Sequence, residues 1–286
     1  MTIVVTGATG HLGRLIVASL LARGVEPGDV VALGRNTERL EQLASQGVRT
    51  AAVDYADTDG LAAAMQGADA LMLISGSEPG HRVEQHRNAV DAARAAGVTR
   101  IVYTSATKAD STPLILAPEH KETEELLKAS SADVTVLRNN WYTENYAGSV
   151  EQAAATREYR ASTGDGRVAS ATRAEYAEAA AIVLTSDGHA GATYELGGAT
   201  AWNGDDMAAA LTALVGSEVR YIALSPEEHQ AALSAAGLDE GTAGFVVALD
   251  GNIRDGALDV TTGDLSRLLG RPTATLLEGL RLTTGG

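Results

Sequence analysis

Apolar residues in this chain come in short unbroken runs, each followed by a stretch where they recur every three or four positions. Ile3-Val4-Val5 runs through glycines into Leu15-Ile16-Val17-Ala18-Ser19-Leu20-Leu21, which predicts a strand and then an amphipathic helix. Val30-Val31-Ala32-Leu33 predicts the next strand, and Thr37 to Ala44 a helix with Leu40 and Leu43 on one face. The pattern repeats as a strand over Val48 to Val53, a short helix over Leu61 to Met65, and a fully apolar strand over Ala70 to Ile74. A long helix from His81 to Ala96, stopped by Gly97, leads to a strand at Ile101 to Ser105. A helix over Pro118 to Ala129 and a strand over Val134 to Leu137 complete the series. Unbroken apolar strands suit a parallel sheet covered on both faces. Strict alternation with helices implies right-handed crossovers, hence an α/β doubly wound parallel sheet over residues 1–140.

Beyond Arg138 the regularity loosens. Thr163-Gly164-Asp165-Gly166-Arg167 reads as a hairpin-like turn between short strands, and Arg173 to Leu184 as a helix. Thr193 to Leu196 is a strand expected to return to the sheet, followed by a helix over Met207 to Leu214 and a strand over Val219 to Leu224. Ser225-Pro226-Glu227-Glu228 supplies an N-cap, a first-turn proline and acids that open another helix. Two more helical stretches lie near Leu265 to Leu269 and Leu276 to Leu282. Residues 141–286 are therefore expected to form a smaller substrate lobe that shares the sheet.

Composition narrows the chemistry. With no cysteine among 286 residues, disulfides, zinc–thiolate sites, iron–sulfur clusters and thiol catalysis are excluded. A formal net charge of −15 disfavours nucleic acid and anionic membranes as partners. The apolar N-terminal run lacks a basic flank and a cleavage-like site, and no window approaches a membrane span. A cytoplasmic location is the default expectation.

The first strand ends at Gly7-Ala8-Thr9-Gly10-His11-Leu12-Gly13, directly before the first helix. One glycine turns the chain, a second admits a pyrophosphate close to the backbone, and a third lets helix and strand pack tightly. The helix N-terminus adds unpaired N–H groups and a partial positive charge. The spacing is one residue longer than G-x-G-x-x-G, and its place between strand and helix points to a dinucleotide, against the plainer reading of an ordinary turn. The second strand ends in Gly34-Arg35 with no acid, where an arginine accommodates the 2′-phosphate of NADP. NADPH is thus favoured over NADH, the bland alternative being a solvated arginine. Asp54 is a candidate acceptor for the adenine amino group or a helix N-cap, and Ser75-Gly76 a cofactor wall with free N–H groups.

No tyrosine has a lysine four residues later, so the usual carbonyl-reductase acid is missing, and no Ser–His–Asp order or metal-ligand cluster stands out. The acceptor should need little proton assistance. Glu119-His120-Lys121-Glu122-Thr123-Glu124 is either part of the site or a solvated helix start. Asn139-Asn140-Trp141-Tyr142, continuing to Tyr146, suits a flat aromatic acceptor by stacking and by hydrogen bonds to its carbonyls.

Together these residues resemble the NmrA-like branch of atypical short-chain dehydrogenase/reductases, most of all the type 2 NAD(P)H:quinone oxidoreductases, with triphenylmethane dye reductases as near relatives. The likeness rests on the glycine turn, Arg35-Asn36, Leu73-Ile74-Ser75, Gln85-His86-Arg87-Asn88 and Tyr103-Thr104-Ser105. Glu119-His120 with Thr123-Glu124, Leu137-Arg138-Asn139 with Trp141 to Tyr146, and Ala169 to Arg173 with Tyr176 extend it over nearly the whole chain. The resemblance implies a Rossmann-type fold and a flavin-free, metal-free enzyme that binds NADPH and passes hydride to a quinone; a homodimer is compatible with it. By position Gly7, Thr9, Gly10, His11, Leu12, Gly13 and Arg35 would hold pyrophosphate and 2′-phosphate. Ser75, Asn139, Asn140 and Trp141 would lie near the nicotinamide, and Arg173 on the far wall. Asn140, Tyr142 and His120 are the candidates to polarise or protonate the acceptor, His120 occupying the place of a catalytic lysine in isoflavone-reductase-like enzymes. Asn140 stands where the pattern has glycine, and Lys121 adds a charge beside His120; both bear on the acceptor pocket. Two alternatives accompany this reading: a non-catalytic NAD(P)-binding redox sensor, and the same chemistry on a dye or an unsaturated carbonyl.

Overall fold

The computed structural model describes residues 1–283. In chain order the elements are β1 (Ile3–Val5), α1 (His11–Ala22), β2 (Val30–Gly34), α2 (Thr37–Ala44), β3 (Arg49–Ala52), α3 (Thr58–Ala64) and β4 (Ala70–Leu73). Then come α4 (Arg82–Ala95), β5 (Arg100–Ala106), α5 (Ala117–Lys128), β6 (Asp133–Asn139), α6 (Ala147–Thr156), β7 (Glu158–Ala161) and α7 (Arg173–Thr185). The chain continues as β8 (Thr193–Leu196), α8 (Gly204–Val215), β9 (Arg220–Ala223), α9 (Pro226–Ala235), α10 (Glu240–Arg254), α11 (Asp264–Leu269) and α12 (Leu276–Thr283).

The main sheet has the order β3-β2-β1-β4-β5-β6-β8. From β3 across to β6 every ladder is parallel. Ile3 sits opposite Val30 on one side and Ala70 on the other, and β5 and β6 pair over seven residues from Arg100–Asp133 to Ala106–Asn139. The chain reverses direction of growth between β1 and β4, so their carboxyl ends flank the switch point where doubly wound sheets bind ligands. Strand side chains alternate between the two faces. Val4, Leu33, Leu71, Leu73, Ile101, Tyr103 and Val136 join Leu61 of α3, Val90 of α4 and Leu127 of α5 in one buried cluster. On α1, Ile16, Val17 and Leu20 are buried, and this helix packs against the alanine-rich α7.

Two compact units result. The first comprises residues 1–110, 118–139 and 173–194; the second comprises 111–117, 140–172 and the described residues from 195 onward. This departs from a division at residue 140, because α7 belongs with the sheet. Arg100 at the start of β5 explains part of that: its guanidinium donates to the carbonyls of Val183 at 2.5 Å and Ser186 at 2.7 Å, at the end of α7. Those carbonyls have no partner inside the helix.

In the second unit the turn at 163–167 does not join a hairpin. β7 instead pairs in parallel with β9, Tyr159 opposite Tyr221, in a separate two-stranded sheet. The helix α8 and strand β9 lie between their sequence neighbours as anticipated, and α9 opens with a capping box of Ser225 and Glu228. α6 and α10 are findings of the structure, as is the pairing of β7. At 15 residues α10 is long, but its apolar pattern is interrupted by Gly241, Gly244 and Gly251.

Candidate functional site

The glycine turn is held to the sheet by its backbone. The Ala8 N–H donates to Leu33 O at 2.8 Å and the Gly10 N–H to Gly7 O at 2.9 Å. Gly7 has φ +59°, a conformation that favours glycine. A Cβ on Gly13 would collide with the Gly7 carbonyl oxygen and lie 2.7 Å from Ala8 Cα, so close packing of α1 on the turn requires glycine there. Gly34 serves the same end from β2, since a Cβ would strike the Thr9 side chain. The N-cap of α1 is Gly10, which offers no side-chain acceptor, and the first turn carries no acid. The N–H groups of His11, Leu12 and Gly13 at this end therefore carry the positive helix pole without an internal carboxylate, as a pyrophosphate site requires. The Leu12 side chain is buried, so only its backbone is available to a ligand.

Arg35 follows β2 and is exposed; Asn36 caps α2 by accepting from the Arg39 N–H at 2.9 Å. The Arg39 guanidinium returns to the turn, donating to Thr9 O at 2.8 Å. Two guanidinium groups thus stand at the carboxyl end of β2. Although no acid ends that strand, carboxylates arrive from its neighbours. Arg35 Nη1 lies 2.7 Å from Glu78 Oε1 and 3.5 Å from Asp54 Oδ2. This pairing holds the Arg35 pKa above its ordinary value and the Glu78 pKa below its own. Asp54 is not the cap of α3. Its Oδ1 accepts from Ala56 N–H at 2.9 Å in a local turn, while Asp57 caps the helix through Gly60 N–H.

The loop after β4 corrects a second expectation. The N–H groups of Ser75 and Gly76 are not free: Ser75 donates to Thr104 Oγ1 at 2.9 Å and Gly76 to His86 Nε2 at 3.0 Å. The Gly76 carbonyl accepts from Arg82 Nε at 2.8 Å, and Tyr55 Oη donates to Ile74 O at 2.8 Å. These residues shape a wall and offer no spare amide donors. Because Nε2 of His86 accepts, its Nδ1 carries the proton and donates to Thr123 Oγ1 at 2.9 Å, whose hydroxyl passes on to Glu119 O. Burial pushes the His86 pKa down to about 3, with Arg82 adding to the shift, so the ring is neutral. Buried Arg82 in turn pairs with Glu119 at 2.9 Å, and Glu119 also accepts from Gly80 N–H.

His120 is buried on α5, its Nδ1 2.8 Å from the Tyr103 hydroxyl. Desolvation, then Arg82, lowers its pKa to about 3, so at neutral pH it presents an uncharged imidazole. Burial raises the Tyr55 pKa to about 12 and drives that of Tyr103 upward too. Below the ends of β5 and β6, Glu124 accepts from Arg138 at 2.9 and 2.7 Å and from Ser105 at 2.7 Å. The Glu119–Glu124 stretch is accordingly a buried polar network on one side, not merely a solvated helix start.

The first unit holds Gly7, Thr9, Gly10, His11, Leu12, Gly13, Arg35, Asp54, Ser75, Gly76, His120, Asn139 and Arg173; the last opens α7. Of these, the glycine turn, Arg35, Asp54, Ser75 and Gly76 converge at the carboxyl ends of β1 to β4. Asn139 ends β6, its carbonyl accepting from Thr107 N–H at 3.1 Å. Asn140, Trp141 and Tyr142 belong to the second unit. There Asn140 N–H donates to Leu196 O at 2.8 Å and Nδ2 to Leu258 O at 3.0 Å, tying three segments together. Its Oδ1 is buried without a hydrogen-bond partner. Trp141 and Tyr142 are half-buried and run beside Ala171 in a parallel bridge.

The model of a family described as NAD(P)H-binding matches residues 7–187. The chain belongs to the NAD(P)H-binding family. Over 278 residues it is 45% identical to quinone oxidoreductase 2 of Escherichia coli strain K12, covering 97% of each protein. The crystal structure of the NADPH-dependent quinone oxidoreductase of E. coli complexed with NADPH superposes with a TM-score of 0.94 at 44% identity, covering 99% of this chain and 100% of that one. Citrobacter sp. triphenylmethane reductase complexed with NADP(H) gives a TM-score of 0.94 at 35% identity, over 99% and 100% of the two chains.

The uncapped α1 terminus and the glycine cradle have the backbone geometry that a dinucleotide pyrophosphate needs. Sequence reasoning passed over Arg39, Glu78 and Arg82 as site residues. Arg39 was the most accessible of them, a second arginine one helical turn after Arg35. Glu78 and Arg82 act on groups far away in sequence and leave no local signature. Among the described residues no group of three or more His, Cys, Asp or Glu is placed to hold a metal ion. Nor is any helix among them long and apolar enough to cross a membrane.

Proposed function

We propose that this chain is an NADPH-dependent reductase that passes hydride to a quinone without a flavin. The observation that carries the reading is the end-to-end likeness to quinone oxidoreductase 2 of E. coli, 45% identical over 97% of both proteins. The geometry of the first unit supports it independently. The α1 terminus faces outward uncapped for a pyrophosphate, and Arg35 and Arg39 offer guanidinium groups where a 2′-phosphate would sit. When bound, NADPH supplies the hydride.

The protein's own residues bind, orient and shield. His86 and Arg82 hold the wall after β4 through the N–H and the carbonyl of Gly76, in the two peptide units that flank that residue. Trp141 and Tyr142 supply ring surface for a flat acceptor. Asn140, Tyr142 and His120 are the groups assigned to the acceptor oxygens. His120 does this as a neutral hydrogen-bonding ring and not as an imidazolium acid, given its pKa of about 3. A quinone is electrophilic enough to accept hydride with hydrogen-bond assistance alone. Holding reactants in an aligned, close arrangement accounts for much of the remaining acceleration.

The test is to follow NADPH absorbance with benzoquinone, naphthoquinone and triphenylmethane dyes as acceptors. Turnover with the quinones is expected; absence of turnover with every acceptor rules out the enzyme. The likeness to Citrobacter triphenylmethane reductase favours one second reading, the same chemistry on a dye. A higher kcat/KM for dyes than for quinones would select it. In the same assay Arg35→Ala should weaken NADPH far more than NADH.

A further inference from the structure

Arg35 does not stand open. Its Nη1 lies 2.7 Å from Glu78 Oε1 and 3.5 Å from Asp54 Oδ2, so one cation faces two carboxylates. Glu78 is held in that position from behind: Gln85 Nε2 donates to its other oxygen, Oε2, at 2.9 Å. Gln85 itself lies over Gly76, where a Cβ would come within 2.6 Å of Oε1. The segment carrying Glu78 is anchored at both ends, through Gly76 to His86 and Arg82 and through Gly80 N–H to Glu119. Glu78 is thus a placed partner of Arg35, on a segment tied down at its base.

A 2′-phosphate carries up to two negative charges and needs the guanidinium that Glu78 already occupies. To bind there it must displace the Glu78 carboxylate from Nη1 or share the guanidinium with it, and in either case settle near Asp54, against like charge. A 2′-hydroxyl meets no such obstacle, because it is neutral and can donate to a carboxylate. We propose that Glu78 is a specificity-setting residue that competes with the cofactor's 2′-phosphate for Arg35, and so narrows the preference for NADPH over NADH. The inference rests on the reading of Arg35 as the 2′-phosphate site. Asp54 contributes less, since it is farther away and its other oxygen is engaged by Ala56 N–H.

The experiment is calorimetric titration of the whole protein with 2′,5′-ADP and with 5′-AMP, which differ only in that phosphate. Parent, Glu78→Gln, Glu78→Ala and Arg35→Ala are compared. Both side chains are exposed, and unchanged thermal midpoints should show that each variant folds. Removing an exposed competing charge should tighten 2′,5′-ADP about fivefold in both Glu78 variants, with 5′-AMP changing by less than about twofold. Unchanged or weakened 2′,5′-ADP binding, or equal tightening of both ligands, overturns the proposal. Arg35→Ala separates the proposal from its premise. Equal weakening of both ligands removes the premise. Selective weakening of 2′,5′-ADP alongside inert Glu78 variants leaves the premise standing and rejects Glu78 alone.

Discussion

At the scale of single residues, Glu124 decides more than its place on a polar helix suggests. It is 2% exposed, with Ser105 and two nitrogens of Arg138 donating to its oxygens. Arg138 is almost as deeply buried and pairs also with the half-exposed Asp110 at 2.9 Å. Breaking the inner pair leaves a charge without full compensation in a poorly solvated place. Glu124→Ala should therefore lower unfolding stability by about 3 kcal/mol, read from urea denaturation. A loss under about 1 kcal/mol would mean that Asp110 and water compensate fully. The chemistry of these positions was partly visible in the chain. Glu119, His120, Thr123 and Glu124 stand together as a cluster of polar residues, and the glycines and Arg35 carry their roles in their own types. Their partners were not visible. His86 meets Gly76 and Arg138 meets Glu124 across the packing of a helix on its neighbouring strand end, and Glu78 meets Arg35 because strands remote in sequence end at one edge of one sheet.

At the scale of elements, periodicity marked the strands and helices of the first unit closely, since each is a short apolar run bounded by turn residues. It failed at α6 and α10, where glycine interrupts the apolar face and lowers intrinsic helix propensity. Neither glycine most responsible is required by the structure. A Cβ added to Gly244 in α10 or to Gly148 in α6 would meet no atom within 4 Å, and neither residue has positive φ. Gly244→Ala and Gly148→Ala should each raise stability by about 0.5–1 kcal/mol, measured as a shift in the denaturation midpoint. A loss at either site would show that the glycine serves packing after all. What holds α10 in place is tertiary: Asp250 accepts from the Ser162 N–H at 2.7 Å and lies 3.0 Å from His229 Nδ1 on α9.

For the whole molecule, burial of two neutral histidines sets a direction for stability against pH. His86 and His120 fall from 6.5 to about 3 on folding, chiefly by desolvation. Above pH 6.5 neither state binds these protons, so the stability is fully present. As pH falls below that, the unfolded chain takes up protons that the folded chain refuses, and stability drops until about pH 3. Each histidine contributes a slope of about 1.4 kcal/mol per pH unit within that window. Thermal midpoints should fall on acidification, and His120→Gln should show a shallower decline than the parent. Equal slopes in the two proteins would mean that His120 is not held neutral by the fold.

The chain by itself determined the alternation of strand and helix, the dinucleotide turn, and an arginine in place of an acid after β2. These are local properties: periodicity, glycine's missing Cβ, and the charge of one side chain. Only the tertiary structure decided what surrounds them. It placed α7 with the sheet, paired β7 with β9, and consumed the amides of Ser75 and Gly76 that local reading left free. It also brought Asp54 and Glu78 to Arg35 from two other strand ends. The reason is physical: a parallel sheet gathers the ends of strands far apart in sequence at one edge, and the pairing there depends on distance in space, which no local pattern encodes.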